Sequence, residues 1–293
     1  MQPFLKLILI VTSVLSISIS AQNSEKAKSA YDKGRKAYLK FTTDDYQEAI
    51  KYFDQAVEAD AEMALAYAGL AEAYALLGYE MEKNGQPAKN YYEKALDNAK
   101  KAVGKGPKFG ATHRALAQAF MIHDAKKYGQ EIYEALKVAT ELDSTDAESY
   151  YLMWLHTEND KPESPLIQKS LRLNEHFFQS QYGVGLAYSK LKKFDQAVER
   201  FKKAVAINPK NYLPYYSMGN AYSQMKKYDL AIPEYEQTLK LNKNIFDVYF
   251  YLGLACYYQD QNKKAVKHLE KYLELVPASP YRAQVENILK DIK

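Results

Sequence analysis

The sequence predicts an all-α protein, built as an α-solenoid of about seven helical hairpins that ends in a C-terminal capping helix. Two observations support this prediction. Small and large residues recur with a period of 34 residues through the C-terminal half of the chain. Within each period, apolar residues recur at the three- and four-residue spacing of amphipathic helices. A long period with helical spacing inside it is typical of stacked supersecondary units.

The repeat is most regular between residues 178 and 276. Its reference unit has a glycine, two aromatic residues, two alanines and a proline in fixed slots, at Gly185, Tyr188, Ala197, Phe201, Ala204 and Pro209. The next unit fills the first four slots with Gly219, Tyr222, Ala231 and Tyr235. The unit after that has Gly253, Cys256, Ala265, Leu269, Tyr272 and Pro277. The unit before the reference is the most divergent, with Tyr151, Trp154, Glu163, Ile167, Ser170 and Glu175.

This pattern resembles the tetratricopeptide repeat, whose signature is large, Leu, Gly, Tyr and then Ala, Phe, Ala, Pro. The glycines leave room where the two helices of a hairpin cross, and large residues fill the space around them. Prolines after the second helix end it. The resemblance implies a right-handed superhelix whose concave face is lined by the first helix of each hairpin.

Upstream of residue 146 the pattern continues with insertions. The crossing residues of the third unit, Ala117 and Leu136, are three residues further apart than in the regular units, and the second unit carries a twelve-residue insertion. The first helix is expected over residues 25–41 in an ambiguous register, with Asp44 capping its partner. The predicted units are 24–61, 62–108, 109–145, 146–177, 178–211, 212–245 and 246–278, followed by a cap helix over 279–293.

The cap helix is expected to open at Ser279-Pro280, because serine caps helices and proline suits a first turn. Leu289 and Ile292 would cover the apolar face that the last hairpin leaves open.

Residues 1–21 have the layout of a secretory signal peptide. Lys6 precedes an apolar run over residues 7–19, and Ser18, Ser20 and Ala21 supply small residues for cleavage. The cut fits equally well after Ser20 or Ala21, and an uncleaved N-terminal anchor is the alternative. We therefore expect an exported protein, periplasmic or secreted, with the solenoid over residues 22–293 and no membrane span in the mature chain.

Composition argues against several function classes. The formal net charge is +4, with basic and acidic residues interspersed, so no nucleic-acid partner is expected. Cys256 is the one cysteine, so an intrachain disulfide is impossible. The five histidines form no metal-ligand pattern, and no phosphate loop or G-x-S-x-G elbow is present. We therefore predict no catalytic residue, metal or cofactor, and not an enzyme.

The family geometry implies a partner-binding groove along the first helices. In the regular units its slots hold Tyr182, Leu186, Lys190, Tyr216, Asn220, Gln224, Phe250, Leu254 and Tyr257. In the earlier units they hold Arg114, Gln118 and Glu148. Rigid aromatics beside amide groups suit an extended peptide or a helix. The alternative is that individual tyrosines only pack against the neighbouring hairpin.

The sequence thus predicts a non-catalytic protein–protein interaction scaffold that binds a peptide or protein partner in its groove, in a bacterial cell envelope. A structural spacer or oligomerisation module is the second hypothesis, and an enzyme is the least supported. The identity of the partner and the oligomeric state stay open at this point.

Overall fold

The computed structural model describes residues 22–40, 42–83 and 85–292. These residues form 15 α-helices and no strand, as predicted. The predicted signal peptide lies outside the described residues. The handedness of the superhelix stays a prediction.

The chain divides into two compact units after Thr157. The helices of unit 1 are α1 (22–38), α2 (Thr43–Ala59), α3 (Ala64–Lys83), α4 (Lys89–Lys105), α5 (Gly110–Asp124), α6 (Gly129–Leu142) and α7 (Ala147–Thr157). Those of unit 2 are α8 (Pro165–Leu173), α9 (Phe178–Lys190), α10 (Phe194–Ile207), α11 (Leu213–Gln224), α12 (Tyr228–Leu241), α13 (Phe246–Tyr258), α14 (Asn262–Leu275) and α15 (Arg282–Ile292). The division falls within the predicted fourth hairpin, which is also the most divergent repeat.

Within each unit, helices that follow one another along the chain pack against each other. In unit 1, α3 packs against α4, and both pack against α5; in unit 2, α10 packs against α9 and α11. Isolated helices of this length are marginally stable in water. Their apolar faces become buried only through neighbouring hairpins, so the stability of each unit builds through these interfaces.

The glycines of the regular repeats lie where the helices of a hairpin cross. A Cβ atom on Gly219 would lie 2.6 Å from Cε1 of Tyr235, and one on Gly185 would lie 2.5 Å from Cε1 of Phe201. These distances are shorter than van der Waals contact. The prediction that glycine leaves room at these crossings is confirmed.

We expect Gly219→Ala to lower the free energy of unfolding by about 1–3 kcal/mol, because the added methyl overpacks the crossing with Tyr235. Cys256 is fully buried in the same unit, so the rate of thiol labelling in urea measures this change. Gly104→Ala, in α4 of unit 1, is the control, and its effect is followed by the fluorescence of Trp154, which is buried in that unit. No atom lies within 4 Å of its added Cβ, and alanine should stabilise α4 by roughly 0.5–1 kcal/mol. Equal effects at the two sites would contradict the crossing geometry.

The structure sets the register of the first hairpin, which the sequence left ambiguous. A Cβ on Gly34 would lie 2.6 Å from the ring of Phe53, so Gly34 is the crossing residue of α1. The expected span of 25–41 is wrong by three residues, because α1 covers 22–38. The expected cap is also wrong: Thr42, and not Asp44, caps α2 by accepting a hydrogen bond from the backbone N–H of Asp45.

The capping helix α15 begins at Arg282, slightly later than predicted, because Ser279 forms a turn first. The Ser279 hydroxyl accepts from the backbone N–H of Tyr281 and shares a 2.6 Å hydrogen bond with the Tyr272 hydroxyl. Leu289 and Ile292 pack on the apolar cluster of the last hairpin, as predicted. The cap is broader than predicted, because Val285 and Ile288 are also buried there.

Candidate functional site

The first helices of unit 1 carry a buried network of charges. At its centre is Arg114 of α5, which is 7% exposed. Its Nε donates to Glu72 Oε1 of α3 at 2.9 Å, and one terminal nitrogen lies 2.5 Å from Asp146. The other terminal nitrogen lies 3.4 Å from Glu148 of α7. One guanidinium therefore joins the first helices of three consecutive hairpins.

A second guanidinium, on Arg35 of α1, extends this network to the first hairpin. It lies 2.6 Å from Glu72 and 3.3 Å from Glu148. The Tyr38 hydroxyl donates to Glu148, and the side-chain amide of Gln118 donates to Tyr38. We call Arg35, Tyr38, Glu72, Arg114, Gln118, Asp146 and Glu148 the unit 1 charge network.

Burial and ion pairing have opposite effects on the pKa values of two carboxyl groups in this network, Glu72 and Asp146. Burial raises the pKa of Glu72, although the charges of Arg114 and Arg35 partly offset it. Burial alone would also raise the pKa of Asp146. There, however, Arg114 and hydrogen bonds from the Ser149 hydroxyl and a backbone amide together lower the pKa below its ordinary value.

Asp146→Asn should therefore change the dependence of stability on pH. Because the pKa of Asp146 is lower in the folded chain, the carboxylate stabilises the fold above its unfolded pKa of about 3.9, and this contribution is lost as the pH falls through the folded value. We expect the stability difference between the wild type and Asp146→Asn to shrink as the pH falls from 6 to about 2.5. Urea unfolding followed by fluorescence of the buried Trp154 measures it. A difference that does not vary with pH would contradict the ion pair.

The network corrects part of the predicted groove. Arg114, Gln118 and Glu148 were expected to face a partner, but they are 7%, 5% and 8% exposed. Alternating charges on neighbouring first helices neutralise one another and occupy the space between them. A peptide could reach these side chains only by breaking buried ion pairs, which is costly.

In unit 2 the first helices form a different surface. A hydrogen bond of 3.2 Å between the Tyr182 hydroxyl and the Ser217 hydroxyl joins α9 to α11. The rings of Tyr216 and Tyr251, with centroids 6.4 Å apart, join α11 to α13. The three helices thus lie side by side and form one continuous face.

The predicted groove residues of unit 2 differ in their exposure to solvent. Leu186, Lys190 and Gln224 are exposed. Five others are half-buried, namely Tyr182, Tyr216, Asn220, Leu254 and Tyr257. We call these eight residues the first-helix face of unit 2. Lys190 and Asp247 are the only charged residues in α9, α11 and α13, so this face is largely uncharged.

Several residues of the face also pack within the fold. The ring of Tyr182 lies against Phe178 and Phe201, at centroid distances of 5.8 and 5.6 Å. Asn220 accepts a hydrogen bond of 2.8 Å from the Tyr235 hydroxyl. Tyr182 therefore packs against its neighbours in the fold, as the alternative interpretation expected, but it is only half-buried and part of its side chain stays accessible.

Phe250 requires a correction. It was predicted to line the groove beside Tyr182 and Tyr216, but it is only 4% exposed. Its ring stacks on Tyr281 at 4.7 Å and contacts Tyr272 at 5.2 Å. The segment leading into the capping helix covers Phe250, so it belongs to the core.

Sequence reasoning missed four members of the charge network, Arg35, Tyr38, Glu72 and Asp146. A signal for two of them was present. Arg35 and Glu72 each directly follow the small residue of a helix crossing, as Leu186 and Asn220 do in unit 2. Glu72 also interrupts the alanine-rich stretch from Ala64 to Tyr79 of α3, which has no other charged residue. Tyr38 had no such signal.

In residues 22–40, 42–83 and 85–292, no group of three or more His, Cys, Asp or Glu side chains is arranged to hold a metal ion. No helix in that part of the chain combines the length and apolar character that a membrane crossing requires.

Models of the tetratricopeptide repeat match four stretches of the chain, residues 35–78, 185–226, 212–245 and 247–279. These stretches contain the crossing residues Gly185, Gly219 and Gly253. The chain contains tetratricopeptide repeats. Such repeats generally mediate protein–protein interactions. No curated protein matches the chain significantly.

Solved tetratricopeptide-type structures share the fold. A Pseudomonas aeruginosa pilF structure is 18% identical, with a TM-score of 0.57 over 75% of this chain and 98% of its own. A human IFIT1 dimer with m7Gppp-AAAA is 18% identical, with a TM-score of 0.62 over 85% of this chain and 59% of its own. The APC/C hetero-tetramer Cut9–Hcn1 is 18% identical, with a TM-score of 0.59 over 90% of this chain and 54% of its own. The present chain thus spans little more than half of the last two chains. At these identities the likeness shows the fold alone.

Proposed function

We propose that this tetratricopeptide-repeat protein is a non-catalytic scaffold that binds a segment of a partner protein on the first-helix face of unit 2. The observation that carries the proposal is the chemistry of that face. It combines exposed Leu186 and Gln224 with half-buried tyrosines and Asn220, and has almost no charge. Aromatic anchors beside amide groups suit the apolar and backbone groups of an extended peptide.

The two units differ in what they offer a partner. The corresponding face of unit 1 is occupied by its own ion pairs, whereas the first-helix face of unit 2 keeps accessible side chains. We therefore assign peptide binding to unit 2 and not to Arg114, Gln118 and Glu148. The exported location, in a bacterial cell envelope, is part of the proposal and is supported by the apolar pattern of residues 1–21.

Selection from a displayed library of random peptides tests the proposal. The full chain should enrich peptides that are rich in apolar and amide side chains and poor in charge. We expect Leu186→Ser combined with Gln224→Ala to weaken a selected peptide at least about tenfold, since central contacts dominate such interfaces. Both side chains are exposed, so the fold should be retained.

Leu230→Ser combined with Gln196→Ala is the matched control. It removes the same chemical groups from exposed positions on the second helices α10 and α12 of the same unit. We expect it to leave affinity within about twofold. Equal weakening by the two double variants, or failure to enrich any peptide, would reject the proposed site.

A further inference from the structure

A second feature of unit 2 lies on its second helices. A cleft of about 750 Å³ runs between α12 and α14, with Lys240 at one wall and Lys263 and Lys267 at the other. Lys243, from the connection after α12, also lines it. This volume falls in the usual range of ligand clefts, roughly 300–1,000 Å³. We call it the lysine cleft.

The cleft carries a surplus of positive charge, because five lysines and three glutamates line it. Lys240, Lys243, Lys263 and Lys267 form no ion pair with any other described residue. Of the carboxylates in the cleft, Glu236 lies 3.3 Å from Lys264 and Glu274 lies 2.7 Å from Lys271, so both have cationic partners already. Lys263 and Lys267 lie one helical turn apart, where like charges repel. An anionic group between them would relieve that repulsion.

The floor of the cleft is apolar and aromatic. Leu239, Val266 and Tyr249 are half-buried there, and the Tyr249 ring lies 6.3 Å from that of the half-buried His268. A ligand matched to the cleft would therefore combine acidic groups for the rim with apolar groups for the floor. A peptide with acidic and apolar side chains has both.

The remaining carboxylates argue against a polyphosphate ligand. Glu236, Glu270 and Glu274 line the same cleft and would repel a continuous row of phosphates. A membrane surface is also a poor match, because lysines recessed around a cleft do not present one flat layer to lipid headgroups.

We infer that the lysine cleft is a second docking site, which takes an acidic segment of a partner protein. It is separate from the first-helix face and shares none of the eight residues of that face. A scaffold with two such sites can hold two segments of one partner or two partners at once. Two linked contacts bind more tightly together than either does alone.

Fluorescence anisotropy with the full chain tests the inference. The probe is a fluorescein-labelled peptide of alternating glutamate and leucine, and its glutamine analogue serves as the uncharged comparison. We expect the triple variant Lys240→Gln, Lys263→Gln, Lys267→Gln to bind the acidic probe at least about tenfold more weakly than wild type, and binding to weaken with added salt. The glutamine analogue should bind more weakly than the acidic probe.

The matched control is Lys51→Gln, Lys100→Gln, Lys137→Gln, which removes the same charge from exposed lysines on the second helices of unit 1. It should leave affinity within about twofold. A site-specific readout is the NMR titration of His268, whose pKa is lowered by burial and then by Lys267 and Lys264. A bound acidic peptide should raise that pKa.

If both triple variants bound the acidic probe equally weakly, the probe would be attracted only by the net charge of the protein. That result would overturn the inference. So would preferential binding of phosphatidylserine vesicles or single-stranded RNA through the same lysines. Leu186→Ser with Gln224→Ala should leave the acidic probe bound, so failure at the first-helix face and failure at the lysine cleft are distinguishable.

Discussion

Replacing Arg114 by alanine should lower the free energy of unfolding of unit 1 by about 3–5 kcal/mol. The guanidinium is 7% exposed and lies 2.9 Å from Glu72 and 2.5 Å from Asp146. Removing the guanidinium would leave both carboxylates in a buried environment. Arg35 would then be the remaining arginine of the network, and it pairs with Glu72. The loss is dominated by that uncompensated negative charge and not by the missing contact alone.

Urea unfolding followed by Trp154 fluorescence measures this effect, because the one tryptophan is buried in unit 1. Lys137→Ala is the control, since Lys137 is an exposed cation on α6 of the same unit, and should change stability by less than about 0.5 kcal/mol. The double variant Arg114→Ala, Glu72→Ala should lose less unfolding free energy than the two single variants lose in sum, by at least about 1 kcal/mol. Additive losses would show that the two side chains are not coupled.

Replacing Phe250 by alanine should destabilise the end of unit 2 by about 3–5 kcal/mol. The ring packs between Tyr281, at 4.7 Å, and Tyr272, at 5.2 Å, and is 4% exposed. Its removal leaves a cavity beneath the capping helix. It follows that Phe250→Ala cannot serve as a test of the groove, because a loss of binding would reflect a loss of structure.

The thiol of Cys256 reports this destabilisation, since it is buried on the same helix and burial raises its pKa to about 11. Labelling should therefore require opening of the helix pair. Phe246→Ala provides the comparison: Phe246 is 41% exposed at the start of α13, so its loss should accelerate labelling only slightly. Similar labelling rates for the two variants would contradict the burial of Phe250.

The helices and their pairing could be predicted because the information is local. Crossing glycines such as Gly219, and the residues that pack on them, recur in the sequence at the spacing that the fold requires. The turns repeat as well: Lys192, Lys226 and Asp260 occupy equivalent positions and have φ angles of 59°, 58° and 55°. Sequence reasoning missed these turns because none of the three is a glycine, the usual signal for that backbone conformation.

The site was harder to predict because burial depends on neighbours beyond the repeat. Tyr182, Tyr216 and Phe250 occupy one slot in three consecutive units, yet only Phe250 is buried. The difference arises because Tyr281, just before α15, covers Phe250, whereas another repeat follows each of the other two units. The contact between Arg35 and Glu148 likewise depends on how the two intervening hairpins stack, which no single repeat specifies.

A partner segment bound to unit 2 should lie along its first helices. Photo-crosslinking measures this with a selected peptide that carries a benzophenone side chain, and mass spectrometry maps the attachment points on the full chain. We expect crosslinks to α9, α11 and α13, near Leu186, Gln224 and Tyr257, which disappear when unlabelled peptide competes. Crosslinks confined to the second helices or to unit 1 would contradict this placement.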